Sequence, residues 1–128
     1  MISRRMTLLL AAGIASLSAP ASAGYSPFGT ANFRAALEAG GPVLVHIDAS
    51  WCPTCRAQKP ILAKLLSQRD FAGVRAFAVD YDTEKAFMRE ISAPDRSTII
   101  MFRNGGEAAR STGDTAEERI EALIRSAL

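Results

Sequence analysis

Cys52 and Cys55 are the only cysteines of a 128-residue chain, and they stand two residues apart in the stretch ASWCPTCRAQKP. A pair so spaced has three chemical uses: a covalent staple, part of a metal site, or reversible thiol–disulfide exchange. A bridge enclosing two residues removes little chain entropy from the unfolded state, so it suits a staple badly. A structural zinc site takes about four ligands, whereas this chain adds only one histidine, His46, to the two cysteines. Exchange needs only the pair and surroundings that ionise one of the thiols.

The surrounding residues predict such a place. VLVHID, residues 43–48, is a β-branched run that reads as a strand buried on both faces. From Cys52 to about Ser67, Ala57, Ile61, Leu62, Leu65 and Leu66 recur at helical spacing, with Pro60 inside the pattern as a kink rather than a break. Cys52 therefore falls at a helix start, where unpaired N–H groups and the positive end of the helix dipole stabilise a thiolate. Cys55 lies about one turn on, close enough to attack a disulfide formed at Cys52. Pro53 fixes φ where the lost N–H has no helical partner anyway.

The rest of the chain must hold that corner. GYSPFG reads as a turn-rich lead-in, and TANFRAALEA as a helix capped by Thr30 and stopped by Gly40-Gly41-Pro42. GVRAFAVDYD is a second strand and TEKAFMREI a helix capped by Asp82 or Thr83. After the loop SAPDRS, TIIMFR is a strand, Asn104-Gly105-Gly106 a hairpin turn and EAARST an edge strand. In the last helix Asp114 with Glu117, or Thr115 with Glu118, has capping-box spacing, and Ile120, Leu123, Ile124 and Ala127 share a face. Alternation ending in a hairpin predicts an α/β domain: a central mixed sheet with helices on both faces.

Residues 1–23 have the three parts of a secretory signal: Arg4 and Arg5, an apolar stretch from Met6 to Leu17, and Ala21-Ser22-Ala23. The expectation is export by the general secretory or twin-arginine route, cleavage after Ala23, and a periplasmic domain of residues 24–128. The run is short for a membrane anchor and is interrupted by Ser16, Ser18 and Pro20. Losing Arg4 and Arg5 leaves 13 basic and 13 acidic residues, and no basic stripe remains to suggest a nucleic-acid partner. An oxidising compartment keeps a cysteine pair oxidised unless electrons are supplied.

VLVHIDASWCPTC resembles the strand and Trp-Cys-x-x-Cys of the thioredoxin family, Pro60 matches the kink proline of its active-site helix, and STIIMFRNGGE resembles its strand, turn and edge strand. The likeness covers most of residues 24–128. WCPTCRA in particular is similar to exported thioredoxin-like reductants that serve cytochrome c maturation. The resemblance implies a thioredoxin fold, with Cys52 as an exposed attacking nucleophile and Cys55 as the buried resolving thiol, the two forming a redox-active disulfide. Trp51 would shape a docking surface or anchor its loop, and Arg56 and Lys59 read mainly as solvated cations.

Two positions depart from the family pattern. His46 stands where thioredoxins usually carry a buried acid, so it serves either as a neutral base toward the second thiol or as a hydrogen-bonded sheet residue. Ser97 stands where a cis-proline usually precedes the strand that begins here at Thr98, and Pro94 is out of register. A cis bond before a non-proline costs about 2.5–4 kcal/mol, so the bond before Ser97 is expected to be trans. Ser97 also adds a hydroxyl and an N–H, and loss of the ring opens the thiols to a metal ion.

Asp80 and Asp82 suit a helix cap better than a cation pair. The reading is a thiol–disulfide oxidoreductase that exchanges with protein disulfides or thiols, as a reductant or a mild isomerase because Pro53-Thr54 carries no histidine. It needs no dissociable cofactor or metal, works as a monomer and draws on a membrane electron donor. Its alternatives are a dedicated apocytochrome c thiol reductant and a non-enzymatic module binding a metal or partner through Cys52, Cys55 and His46.

Overall fold

The computed structural model describes Gly13 and residues 24–128. Apart from Gly13, the predicted signal and its cleavage site lie outside the described residues. In chain order the elements are β1 (Tyr25–Ser26), α1 (Thr30–Glu38), β2 (Val43–Asp48), α2 (Pro53–Leu66), a 3₁₀ turn (Arg69–Phe71), β3 (Arg75–Asp80), α3 (Lys85–Glu90), β4 (Thr98–Arg103), β5 (Gly106–Thr112) and α4 (Glu117–Arg125).

β2 is the middle of a five-stranded sheet of order β1-β3-β2-β4-β5. It runs parallel to β3, and His46 pairs with Ala78. On its other side it is antiparallel to β4, where Ile47 pairs with Thr98. Its alternate residues face opposite layers. Val43, Val45 and Ile47 pack with Phe33 and Ala36 of α1 and Phe87 and Met88 of α3. Leu44 packs with Leu62, Leu65 and Leu66 of α2 and Ile120 and Ile124 of α4. Burial on both faces explains why VLVHID shows no polar alternation. The mixed sheet between two helical layers is the architecture the element order predicts.

Several local expectations are corrected. GYSPFG contains β1, whose Tyr25 and Ser26 pair in parallel with Ala76 and Phe77 at the sheet edge; two residues are too few to show a period. Gly29, not Thr30, is the N-cap of α1, and no side chain caps it. α3 starts after Glu84, because Asp80 Oδ1 already accepts the N–H groups of Asp82 (2.7 Å) and Thr83 (3.3 Å) in a turn before the helix. α4 has no capping box: Ala116 is its N-cap, and Asp114 Oδ1 accepts from Ala116 N–H at 3.0 Å. The Asn104-Gly105 turn does form, with φ of 51° and 81°, the left-handed pair that a tight hairpin requires.

Candidate active site

The C-terminal end of β2 delivers the chain to Cys52, the N-cap of α2, with Pro53 in the first turn. Cys52 Sγ accepts the Cys55 N–H at 3.2 Å, so the sulfur takes the place usually held by a capping oxygen. Pro60 lies within the continuous helix and does not break it. The helix face that meets the sheet carries Cys55, Gln58, Leu62, Leu65 and Leu66, whereas Ala57 is exposed.

Opposite the cysteines, the loop before β4 ends at Ser97, which has φ of 60° and a trans peptide bond. Its N–H donates to Ile47 C=O at 2.8 Å, and its own C=O accepts from Gly113 N–H at 2.9 Å. The Thr98 hydroxyl donates to Asp95 C=O at 2.8 Å and bonds Thr112 Oγ1 at 3.0 Å, fastening the loop to the start of β4. These anchors hold a left-handed non-glycine residue that would otherwise be disfavoured by about 1–2 kcal/mol. They aim the hydroxyl at the thiols: Ser97 Oγ is 3.2 Å from Cys52 Sγ and 3.1 Å from Cys55 Sγ.

The two thiols are unequal. Burial pushes the Cys52 thiol up. Hydrogen bonds from the Cys55 thiol, the Ser97 hydroxyl and the Cys55 N–H, with help from the Arg96 guanidinium, outweigh burial and bring the pKa down to about 7. The Cys55 thiol is held above its ordinary value, first by burial and then by Cys52. Cys52 therefore ionises ahead of Cys55 as pH rises.

Cys52 is not exposed, contrary to what the resemblance implies: only 1% of its surface is open. The Ser97 hydroxyl and Cys55 enclose its sulfur from the loop and helix sides. Its neighbours Trp51 and Pro53 are themselves exposed. Trp51 is 50% exposed. Its indole N–H donates to Asp82 Oδ2 at 2.9 Å, and the Arg96 guanidinium stacks over its ring at 4.9 Å. Anchor and exposed face are thus combined in one residue. Lys59 is not simply solvated: its Nζ pairs with Asp48 Oδ2 at 2.7 Å, while Arg56 is exposed.

His46 is fully buried, and its ring nitrogens bond neither cysteine. Its Nδ1 meets the Tyr25 hydroxyl at 3.3 Å and its Nε2 meets Gln58 Oε1 at 2.9 Å. Gln58 is the residue sequence reasoning missed. Its Nε2 donates to Ser97 C=O at 3.0 Å and to Asp114 C=O at 2.9 Å, so one buried amide ties the histidine to the loop that faces the thiols. The available signal was position: Gln58 follows Cys55 by three residues, on the same helix face. Because both ring nitrogens of His46 are engaged by Tyr25 and Gln58, the metal set of Cys52, Cys55 and His46 does not converge. Among the described residues no group of three or more His, Cys, Asp or Glu side chains does.

The family model for thioredoxin matches residues 25–126. The chain belongs to the thioredoxin family. It is 34% identical over 86 residues to thioredoxin from Chlamydia pneumoniae, a match spanning 67% of this chain and 82% of that one. The crystal structure of Trxlp from Edwardsiella tarda superimposes with a TM-score of 0.76 and 36% identity, over 79% of this chain and 98% of that one. A shorter segment of 53 residues is 38% identical to the thiol:disulfide interchange protein DsbE of Yersinia pestis, covering 41% of this chain and 26% of that protein. This thioredoxin-family chain is accordingly a thiol–disulfide oxidoreductase of thioredoxin fold, acting on protein disulfides.

Proposed function

We propose that this protein is an exported, periplasmic reductant of protein disulfides. Cys52 is the attacking nucleophile, Cys55 resolves the mixed disulfide, and a membrane protein returns the electrons. The observation that carries the direction is the Cys52 sulfur at the N-cap of α2, bonded by the Cys55 N–H and the Ser97 hydroxyl, an arrangement that lowers its pKa only to about 7. Reducing thioredoxins sit near that value, whereas a strong oxidant depresses its nucleophile to about 3.5 and so stabilises the reduced form.

In the cycle the Cys52 thiolate attacks a substrate disulfide and one substrate sulfur leaves. Cys55 then closes the Cys52–Cys55 bond and frees the other. The dithiol loses two electrons and the substrate gains them, so no dissociable cofactor takes part. Equilibration in glutathione redox buffers, read by thiol alkylation, tests the direction. A potential near about −270 mV is expected, and one near about −120 mV would make the protein an oxidant.

A second reading, a dedicated reductant of apocytochrome c thiols, is favoured by WCPTCRA and by the segment shared with the interchange protein of Yersinia pestis. Loss of haem-stained c-type cytochromes in a deletion strain, restored by the wild type and not by Cys52→Ser, would select it.

A further inference from the structure

The Ser97 hydroxyl sits 3.2 Å from Cys52 Sγ and 3.1 Å from Cys55 Sγ, in a loop whose own backbone is fully engaged with Ile47, Gly113 and Gln58. A hydroxyl has one proton to give and lone pairs to receive another. In the dithiol the single Cys55 proton is shared between Cys52 sulfur and Ser97 Oγ; once Cys52 is bonded to substrate, the ordering is Cys55 S–H to Oγ and Oγ–H toward the leaving sulfur. A proline at this position could make neither bond. The resolving step, in turn, leaves a proton on the wrong atom. Cys55 must lose one to attack, and an alkyl thiolate leaving the substrate must gain one to stay off the new disulfide. His46 cannot mediate this directly, because both its ring nitrogens are taken by Tyr25 and Gln58.

We infer that Ser97 is a catalytic residue, its hydroxyl carrying the Cys55 proton to the departing substrate sulfur while its backbone, pinned in part by Gln58, holds it between the two thiols. The inference rests on the oxidoreductase reading above. In the mixed disulfide the substrate sulfur is bonded to Cys52 Sγ at about 2.0 Å, so it lies beside the atom Ser97 already touches. Cys55 sulfur attacks Cys52 Sγ, the Cys52–Cys55 bond forms and the Cys52–substrate bond breaks. Two electrons pass to the substrate sulfur. The Cys55 proton moves to Oγ as the Oγ proton moves to that sulfur, and Ser97 ends as it began.

The test is pre-steady-state exchange with two mixed disulfides built on Cys52. One carries glutathione, whose thiol leaves as a basic alkyl thiolate. The other carries nitrothiobenzoate, a weakly basic leaving group that needs no proton. Ser97→Ala and Ser97→Gly are compared with the wild type. Glycine also relieves the left-handed φ, so it separates loss of the hydroxyl from backbone strain.

Resolution of the glutathione adduct is expected to slow about 10²-fold in both variants, with release of nitrothiobenzoate changed less than threefold. Equal slowing of the two adducts would mark Ser97 as merely structural, and unchanged rates would remove it from the reaction; either overturns the relay. If the wild type resolves neither adduct, the oxidoreductase reading fails as well. Normal wild-type turnover with no leaving-group dependence in the variants sinks only the role of Ser97.

Discussion

Gln58 Oε1 lies 2.9 Å from His46 Nε2, and that contact fixes the state of the imidazole. The Gln58 amide nitrogen donates to the carbonyls of Ser97 and Asp114, so its oxygen must be the atom that faces His46, and an oxygen can only accept. Nε2 therefore carries the proton. Nδ1 is left to accept from the Tyr25 hydroxyl, which burial, reinforced by the Asp48 charge, keeps protonated far above neutral pH. His46 is a neutral, doubly bonded member of the sheet-to-helix interface, placed to hold Gln58 and through it the Ser97 loop.

The first prediction concerns acid. Burial is the main cause that lowers the His46 pKa below its ordinary value, against weaker raising effects of Gln58 and Asp48. The unfolded chain, with a histidine near 6.5, then binds a proton that the folded chain refuses. Stability from this residue is complete above about pH 6.5 and is lost as pH falls from there toward the folded value, at up to about 1.4 kcal/mol per pH unit. Urea denaturation across that window should show the slope in the wild type and a flatter line in His46→Asn. Parallel lines would mean that His46 titrates freely in the fold.

Alkylation should separate the thiols. The rate at Cys52 should rise with pH through a midpoint near 7, because the thiolate reacts, while Cys55, held higher, stays unmodified over the same range. Quenched iodoacetamide labelling resolved by peptide mass spectrometry reads both sites. A Cys52 midpoint above 8.5 would show that burial outweighs its hydrogen bonds.

Most of the fold was legible in the sequence and part of the site was not, for separable reasons. The spacing of Ile61, Leu62, Leu65 and Leu66 and the unbroken VLVHID run carry enough apolar signal to place α2 and β2. Asn104-Gly105 declares its turn through backbone conformation alone. Capping residues failed by one or two positions, for α3 and α4 because Asp80 and Asp114 bond to N–H groups in the turns before their helices. Apart from its spacing from Cys55, nothing marked Gln58, because a glutamine on a helix face reads as solvated unless its partners are known, and these come from β2, the Ser97 loop and the segment before α4. The burial of Cys52 depends on Ser97, 45 residues away, which no local pattern reports.

Removing Gln58 should cost more than its size suggests. Gln58→Leu keeps the volume roughly but strands the buried His46 Nε2 proton and takes a donor from two carbonyls. An unsatisfied buried polar group costs about 1–3 kcal/mol, so a loss of about 2–3 kcal/mol is expected in chemical denaturation. The Cys52 alkylation midpoint should rise in the same variant as the Ser97 loop loosens. A stable variant with an unchanged midpoint would show that the loop is held by Ile47 and Gly113 alone.

The pair of Lys59 and Asp48 offers a cleaner energetic test. Asp48 Oδ1 has no hydrogen-bond partner, and its other oxygen depends on Lys59 at 2.7 Å. Because the lysine is 45% exposed at its side chain, the pair is worth less than a buried one, for which losing one partner costs about 3–5 kcal/mol. Lys59→Met should destabilise by about 1–2 kcal/mol through the half-buried carboxylate it strands. Asp48→Asn in the Lys59→Met background should recover most of that loss. Additive single and double variants would mean that the two side chains do not interact.

Tyr25 sets a limit on where an exported form can begin. Its hydroxyl meets His46 Nδ1, and its strand pairs with Ala76 and Phe77 at the edge of the sheet. Cleavage after Ala23 would leave Gly24 as the first residue and both contacts whole. Cleavage three residues later would delete β1 and leave a buried ring nitrogen without a partner, at a cost of about 1–3 kcal/mol. If the proposed export occurs with cleavage after Ala23, N-terminal sequencing of the mature protein should start at Gly24; a chain started at Pro27 should unfold at lower urea than one started at Gly24. Tyr25→Phe should reproduce most of that difference if the hydroxyl carries it. If the two truncations unfold together, β1 contributes nothing and the position of cleavage is free of this constraint.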